Sequence, residues 1–156
     1  LPPREILPKA RYAAVRALEL DPTIAEAQAL LADIQYEFDW NFPAAEQGFR
    51  KAIALNPSYA KAHQWYSNFL SVSKRFDESF VEIARARQLD PLNSMIDTDA
   101  GLASYWAGQY DRAQRLAFEQ LLDNVGCAFV SADVVHGGDV GMVENARRAC
   151  LLLEAA

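Results

Sequence analysis

Apolar side chains recur along most of this chain at intervals of three and four residues, the spacing that gathers them on one face of an α-helix. Three of these runs end alike, at Leu20-Asp21-Pro22, Leu55-Asn56-Pro57 and Leu89-Asp90-Pro91. The prolines stand 35 and 34 residues apart, so the punctuation is periodic. Counting back from each proline finds Ala17, Ala52 and Ala86 five residues before it, Ala14, Phe49 and Ile83 eight before, and Ala10, Ala45 and Ser79 twelve before. The columns agree in chemistry as well as in position. The pattern predicts an all-α chain with helices across about Pro8 to Leu20, Ile24 to Phe38, Pro43 to Leu55, Tyr59 to Ser73 and Phe76 to Leu89. Pro43 suits a first helical position, where its absent N–H costs nothing.

These columns resemble the second half of the tetratricopeptide repeat, a 34-residue helix-turn-helix unit whose pattern closes A-x3-F and then P. The first halves match less literally. The Trp expected near the start is Gln28, His63 and Asp97 in successive copies, and the Leu-Gly pair becomes Leu31-Ala32, Tyr66-Ser67 and Ala100-Gly101, which keeps small residues where helices must touch. The resemblance implies a right-handed α-solenoid of stacked antiparallel helix pairs, with 1–156 as a single array. Residues 1–22 are then a partial repeat contributing its second helix, 23–57, 58–91 and 92–125 are repeats, and 126–156 is a degenerate repeat or capping helix. Unit 23–57 carries one extra residue in its turn, and unit 92–125 keeps Gly108-Gln109-Tyr110-Asp111 at the turn but has Val125 in place of the closing Pro. Met142, Val143, Ala146, Ala149, Cys150 and Leu153 recur at helical spacing in the last segment. A cap, an oligomer contact and a truncated further repeat all fit that spacing.

In this family the first helices line a concave surface that receives peptides or partner proteins, so the resemblance implies a non-catalytic interaction module. The corresponding positions are Glu26, Ala29, Asp33, Tyr36 and Glu37 in the second unit. They are Lys61, Gln64, Trp65, Asn68 and Val72 in the third, and Met95, Thr98, Asp99, Leu102, Tyr105 and Trp106 in the fourth. This groove reads as acidic and aromatic. Relatives that clamp a C-terminal carboxylate use Lys and Asn or Arg on successive first helices. Only Asn68 matches such a position, so a neutral or basic protein or peptide with an apolar anchor for Trp65 or Trp106 is the expected partner. The alternative for Trp65 is packing between helices, the usual place of an aromatic at helical spacing. The segment Glu37-Phe38-Asp39-Trp40-Asn41-Phe42, with Ala44-Ala45-Glu46 and Ala60-Lys61-Ala62-His63-Gln64-Trp65-Tyr66, is further similar to the repeat arrays of bacterial signalling proteins. Those are winged-helix transcriptional regulators above all, and some adenylate cyclases and Ser/Thr kinases.

Composition narrows the other classes. The chain has 156 residues, the length of one ordinary domain, with 51% apolar residues and 27 alanines, which suits close-packed helices rather than a disordered tail. Its net charge of −6 is the wrong sign for a phosphate backbone, and Lys61 alone opposes Glu26, Asp33, Glu37 and Asp99 in the groove. A helical-repeat RNA binder is thereby disfavoured. Self-association through the open ends of the array, by Ala13, Val15 and Leu18 or by Met142, Ala146 and Leu153, is a further alternative. No stretch is apolar enough to cross a bilayer. A chain that begins at Leu1, without Met or signal peptide, reads as a piece of a longer protein, with the cytoplasm as its expected address and a parent that places it outside the inner membrane as the alternative. His63 and His136 are 73 residues apart with no cysteine at metal-ligand spacing, and no phosphate loop, nucleophile elbow or zinc-protease motif occurs. No metal, cofactor or catalytic residue is expected; Cys127 and Cys150 would meet if the last two helices pair, and reduced thiols are the commoner state.

Overall fold

The computed structural model describes residues 3–119, with side chains from residue 6 onward. The expected terminal unit at 126–156, with its apolar positions, Cys127, His136 and Cys150, lies outside them. The described residues form helices α1 (Pro3–Leu20), α2 (Ala25–Glu37), α3 (Phe42–Leu55), α4 (Ala60–Val72), α5 (Phe76–Leu89) and α6 (Ser94–Trp106), and a further helical stretch over 110–119. No strand occurs among them. Helix α2 pairs with α3 and α4 with α5, and α4 and α6 also touch, giving an all-α solenoid of stacked antiparallel pairs.

The connections repeat atom for atom. At each Leu-Asp/Asn-Pro corner the Asp or Asn N–H bonds back to the alanine carbonyl four residues earlier, Asp21 to Ala17 at 2.8 Å, Asn56 to Ala52 at 2.9 Å and Asp90 to Ala86 at 2.9 Å. The same Asp or Asn carbonyl then accepts the N–H three residues on, from Ile24, Tyr59 and Asn93. Pro at the second place of such a turn has its φ already set. The other connections also share a device. Trp40, Lys74 and Gly108 lie 34 residues apart and have φ of 54°, 61° and 75°, the left-handed conformation that reverses the chain at a helix end. Only Gly108 adopts it without steric cost. At the start of α3, the Asn41 side chain accepts the Ala44 N–H at 3.3 Å, beside Pro43 in the first turn.

The recurring columns form the core. Ala45, Ala52, Phe49, Ser79, Ile83 and Ala86 are all buried. Ala52 packs with Ala29 and Ala62, and Ala86 with Ile83, Ile96, Ala100 and Leu116, so these two alanines lie where one pair meets the next. Between them sits an aromatic cluster around Phe69, whose ring centroid lies 5.6 Å from Tyr36, 5.8 Å from Phe42, 5.9 Å from Phe49 and 6.0 Å from Tyr66.

Three details differ from the pattern read in the sequence. Helix α1 begins at Pro3 rather than near Pro8, which lies inside the helix. Either proline suits a helix start, and an amphipathic pattern cannot choose between two such signals. The position where the family pattern has Trp is polar and tied down: His63, buried, has Nδ1 2.6 Å from a Glu82 carboxylate oxygen and Nε2 3.1 Å from the Pro57 carbonyl. Asp97 pairs with Arg87 at 2.7 Å. Finally, α3 approaches α2 closely at Gly48, a position unmarked in the sequence. A Cβ there would lie 2.7 Å from the Ala32 Cβ, whereas a Cβ at Gly101 would have no described atom within 4 Å.

Gly48→Ala should therefore destabilise the fold by about 1–3 kcal/mol through overpacking, while Gly101→Ala should stabilise it by up to about 1 kcal/mol through helix propensity. Urea unfolding of the two variants checks this, and equal midpoints would contradict the close approach of α2 and α3.

Candidate protein-binding surface

Because α2, α4 and α6 occupy equivalent places in successive pairs, residues 35 and then 34 apart form rows across them. The rows are Glu26, Lys61 and Met95; Asp33, Asn68 and Leu102; Tyr36, Ser71 and Tyr105; and Glu37, Val72 and Trp106. Glu26, Glu37 and Lys61 are exposed and Asp33 is half-buried. At the other end Met95, Leu102, Tyr105 and Trp106 are exposed large apolar groups, 42–62% accessible, which is too much for core residues.

Asp33 stands one helical turn before Glu37. Burial pushes its carboxyl up to about 7, the Glu37 charge adds to the rise, and Lys61 opposes it. The same burial, with Glu37 and Asp33, raises the Tyr36 phenol. The Lys61 ammonium lies 5.1 Å from the centre of the Trp65 ring, a cation–π contact.

Several sequence-predicted residues turn out to bind one another. The Gln64 amide donates to Asp99 Oδ2 at 2.6 Å, and the Asn68 amide donates to the same oxygen at 3.0 Å. Gln64 is buried, and the trio joins α4 to α6. Asp99 is thus an acceptor held by two amides rather than a free acid, and Asn68 points to a carboxylate of its own chain. Tyr36 is edge-on to Phe42 and Phe69 and belongs to the aromatic core. Trp65 is half-buried and packs against two core clusters, so packing between helices accounts for it. At the open end of α1, Ala13 and Val15 are exposed and Leu18 is half-buried. Met142, Ala146 and Leu153, the other proposed end, lie outside the described residues.

Tyr110 was not read from the sequence as part of the surface. It is 63% exposed and meets Tyr105 edge-on, with centroids 5.5 Å apart. It opens the helix after α6, so a search confined to first helices passes over it, although its separation of five residues from Tyr105 across a glycine turn was a usable signal. Among the described residues no three His, Cys, Asp or Glu side chains converge as metal ligands, and no helix is long and apolar enough to cross a membrane.

The architecture is that of a helical-repeat solenoid, whose extended faces are surfaces rather than closed pockets. No protein-family model matches the chain. It is 33% identical over 91 residues to the type IV pilus assembly protein PilF of Pseudomonas aeruginosa, a match covering 57% of this chain and 36% of that protein. The chain thus spans about a third of the length of that curated relative. A solved structure of Pseudomonas aeruginosa pilF superposes with a TM-score of 0.68 at 28% identity, over 78% of this chain and 55% of that one. A crystal structure of MamA superposes with a TM-score of 0.67 at 23% identity, over 86% and 74% of the two chains, a likeness of fold. With the 34- and 35-residue periods, these likenesses support a helical-repeat fold of the tetratricopeptide type.

Two outcomes follow from the electrostatics. In an NMR titration the Asp33 carboxyl should have its midpoint near 7, with Glu37→Gln lowering it and Lys61→Met raising it. Since the folded state holds this proton more tightly than the unfolded chain, the contribution of Asp33 to stability should decline as pH rises from about 4 to about 7, a slope that Asp33→Asn removes. Asp99→Ala should cost about 1–3 kcal/mol in urea unfolding, because it leaves the buried Gln64 amide without its acceptor.

Proposed function

We propose that this chain is a non-catalytic protein-interaction module, and that the face made by α2, α4 and α6 is where a partner protein binds. The observation that carries this reading is the cluster Leu102, Tyr105, Trp106 and Tyr110, four large apolar side chains exposed together at one end of the rows. Aromatic groups held on rigid helices and left accessible are the usual anchors of an interface. The acidic groups at the other end favour a neutral or basic partner over nucleic acid.

The pilus assembly relative supports a role in building a multiprotein structure, with this chain as one segment of a larger bacterial protein. A parent that regulates transcription or signalling is the second reading, carried by the resemblance of the second unit alone. The assembly role is preferred because it also has a match over more than half of the chain behind it.

A photo-crosslinking amino acid placed at position 102 should capture one protein in cells that express the parent, and the same group at position 81, exposed on α5, should not. Equal capture from both positions, or capture from 81 alone, would overturn the assignment of this face.

A further inference from the structure

The rows change character steadily along the array. From α2 through α4 to α6, one row runs Asp33, Asn68, Leu102 and the next runs Glu37, Val72, Trp106. At the first end stand carboxylates, at the last end apolar groups 42% and 49% exposed, and between them a Val72 that is 46% exposed and an Asn68 bound to Asp99. A partner lying along these rows therefore meets charge first and grease second.

Resting on the interaction reading above, we propose that the rows bind an extended segment of a partner protein carrying a Lys or Arg at Glu37 and an apolar side chain at Leu102 and Trp106, about six residues away. The spacing follows from the scaffold. Neighbouring packed helices lie ~8–10 Å apart, so α2 to α6 is two such steps, and an extended chain advances ~3.3 Å per residue. Six is an even number, so in an extended segment both side chains point to the same face. A bound helix fits less well, because a helix docks by an apolar stripe along its whole length, and here the apolar lining ends at Val72 before the carboxylates begin. Trp65 takes no part, being packed against the core and covered by Lys61. Asp99 takes none either, its Oδ2 being held by Gln64 and Asn68.

The test uses fluorescein-labelled peptides in a Ser and Thr background, with one Arg and one Leu separated by three, six or twelve residues, titrated against this chain by anisotropy. The six-residue spacing should bind at least about tenfold tighter than either companion. Glu37→Lys should abolish the gain from Arg while keeping the gain from Leu, and Trp106→Ala should do the reverse, with unchanged circular dichroism in both. A preference for twelve would indicate a bound helix and overturn the proposal, as would equal affinity at all spacings or no binding at millimolar peptide. If position 102 still captures a partner in cells under any of those results, the interaction reading stands without this one. Loss of both removes both.

Discussion

At Gly48 the backbone of α3 comes so near α2 that the space for one methyl group is already taken by Ala32. Backbones can approach this far only where both helices present small residues, and at this contact the pair is fixed by volume rather than by any directional bond. The next pair is joined differently. Ser67 and Ser71 on α4 bond to the Ser79 hydroxyl on α5 at 2.8 and 2.7 Å, all three buried. Glu82 occupies the place of Gly48 in this unit and meets His63, which occupies the place of Gln28. One architecture is thus reached by two chemistries, a void closed by glycine in one pair and a filled polar seam in the other. What is constant is that α2 and α4 turn the corresponding positions Glu26 and Lys61, and Glu37 and Val72, outward.

The units are then locked to one another. The aromatic cluster around Phe69 draws side chains from α2, α3 and α4, so it belongs to two units at once. Arg75, at the turn before α5, reaches back to Glu46 on α3 at 2.7 Å, and Glu46 also accepts from Arg50. Arg11 grips both oxygens of Asp39 at 2.6 and 2.7 Å, tying α1 to the turn after α2. Exposed ion pairs of this kind contribute little energy individually. The Arg75–Glu46 and Arg11–Asp39 pairs nevertheless mark the junctions between successive units.

Much of this was legible in the sequence because the period of the prolines and alanines records a packing requirement. A column that stays small through three copies marks a place with no room, so Ala52 and Ala86 are expected where helices approach closely, although the column does not say which helices those are. The left-handed residues were harder to see. Gly108 announces itself, but Trp40 and Lys74 adopt the same conformation without the residue type that usually signals it, and only the 34-residue spacing links the three. The binding surface was legible as a set of positions, not as a set of free groups. A sequence gives the acid at Asp99 and the amides at Gln64 and Asn68, but not that they satisfy one another, because that bond spans 35 residues and depends on how α6 is turned. Burial had the same effect on Tyr36, which lies on the expected row and yet points into the core.

The charge of the surface is also less fixed than its composition suggests. Partial withdrawal from water is the main reason that Asp33 holds its proton more tightly than an ordinary carboxyl, and the Glu37 charge one turn away adds to it. Lys61, the nearest opposing cation, is itself drawn over the Trp65 ring and compensates only in part. A cation arriving from a partner would supply the missing compensation, lowering the Asp33 pKa and releasing its proton as it binds. The acidic end of the rows therefore carries less charge near neutrality than its composition suggests, while the apolar end is exposed.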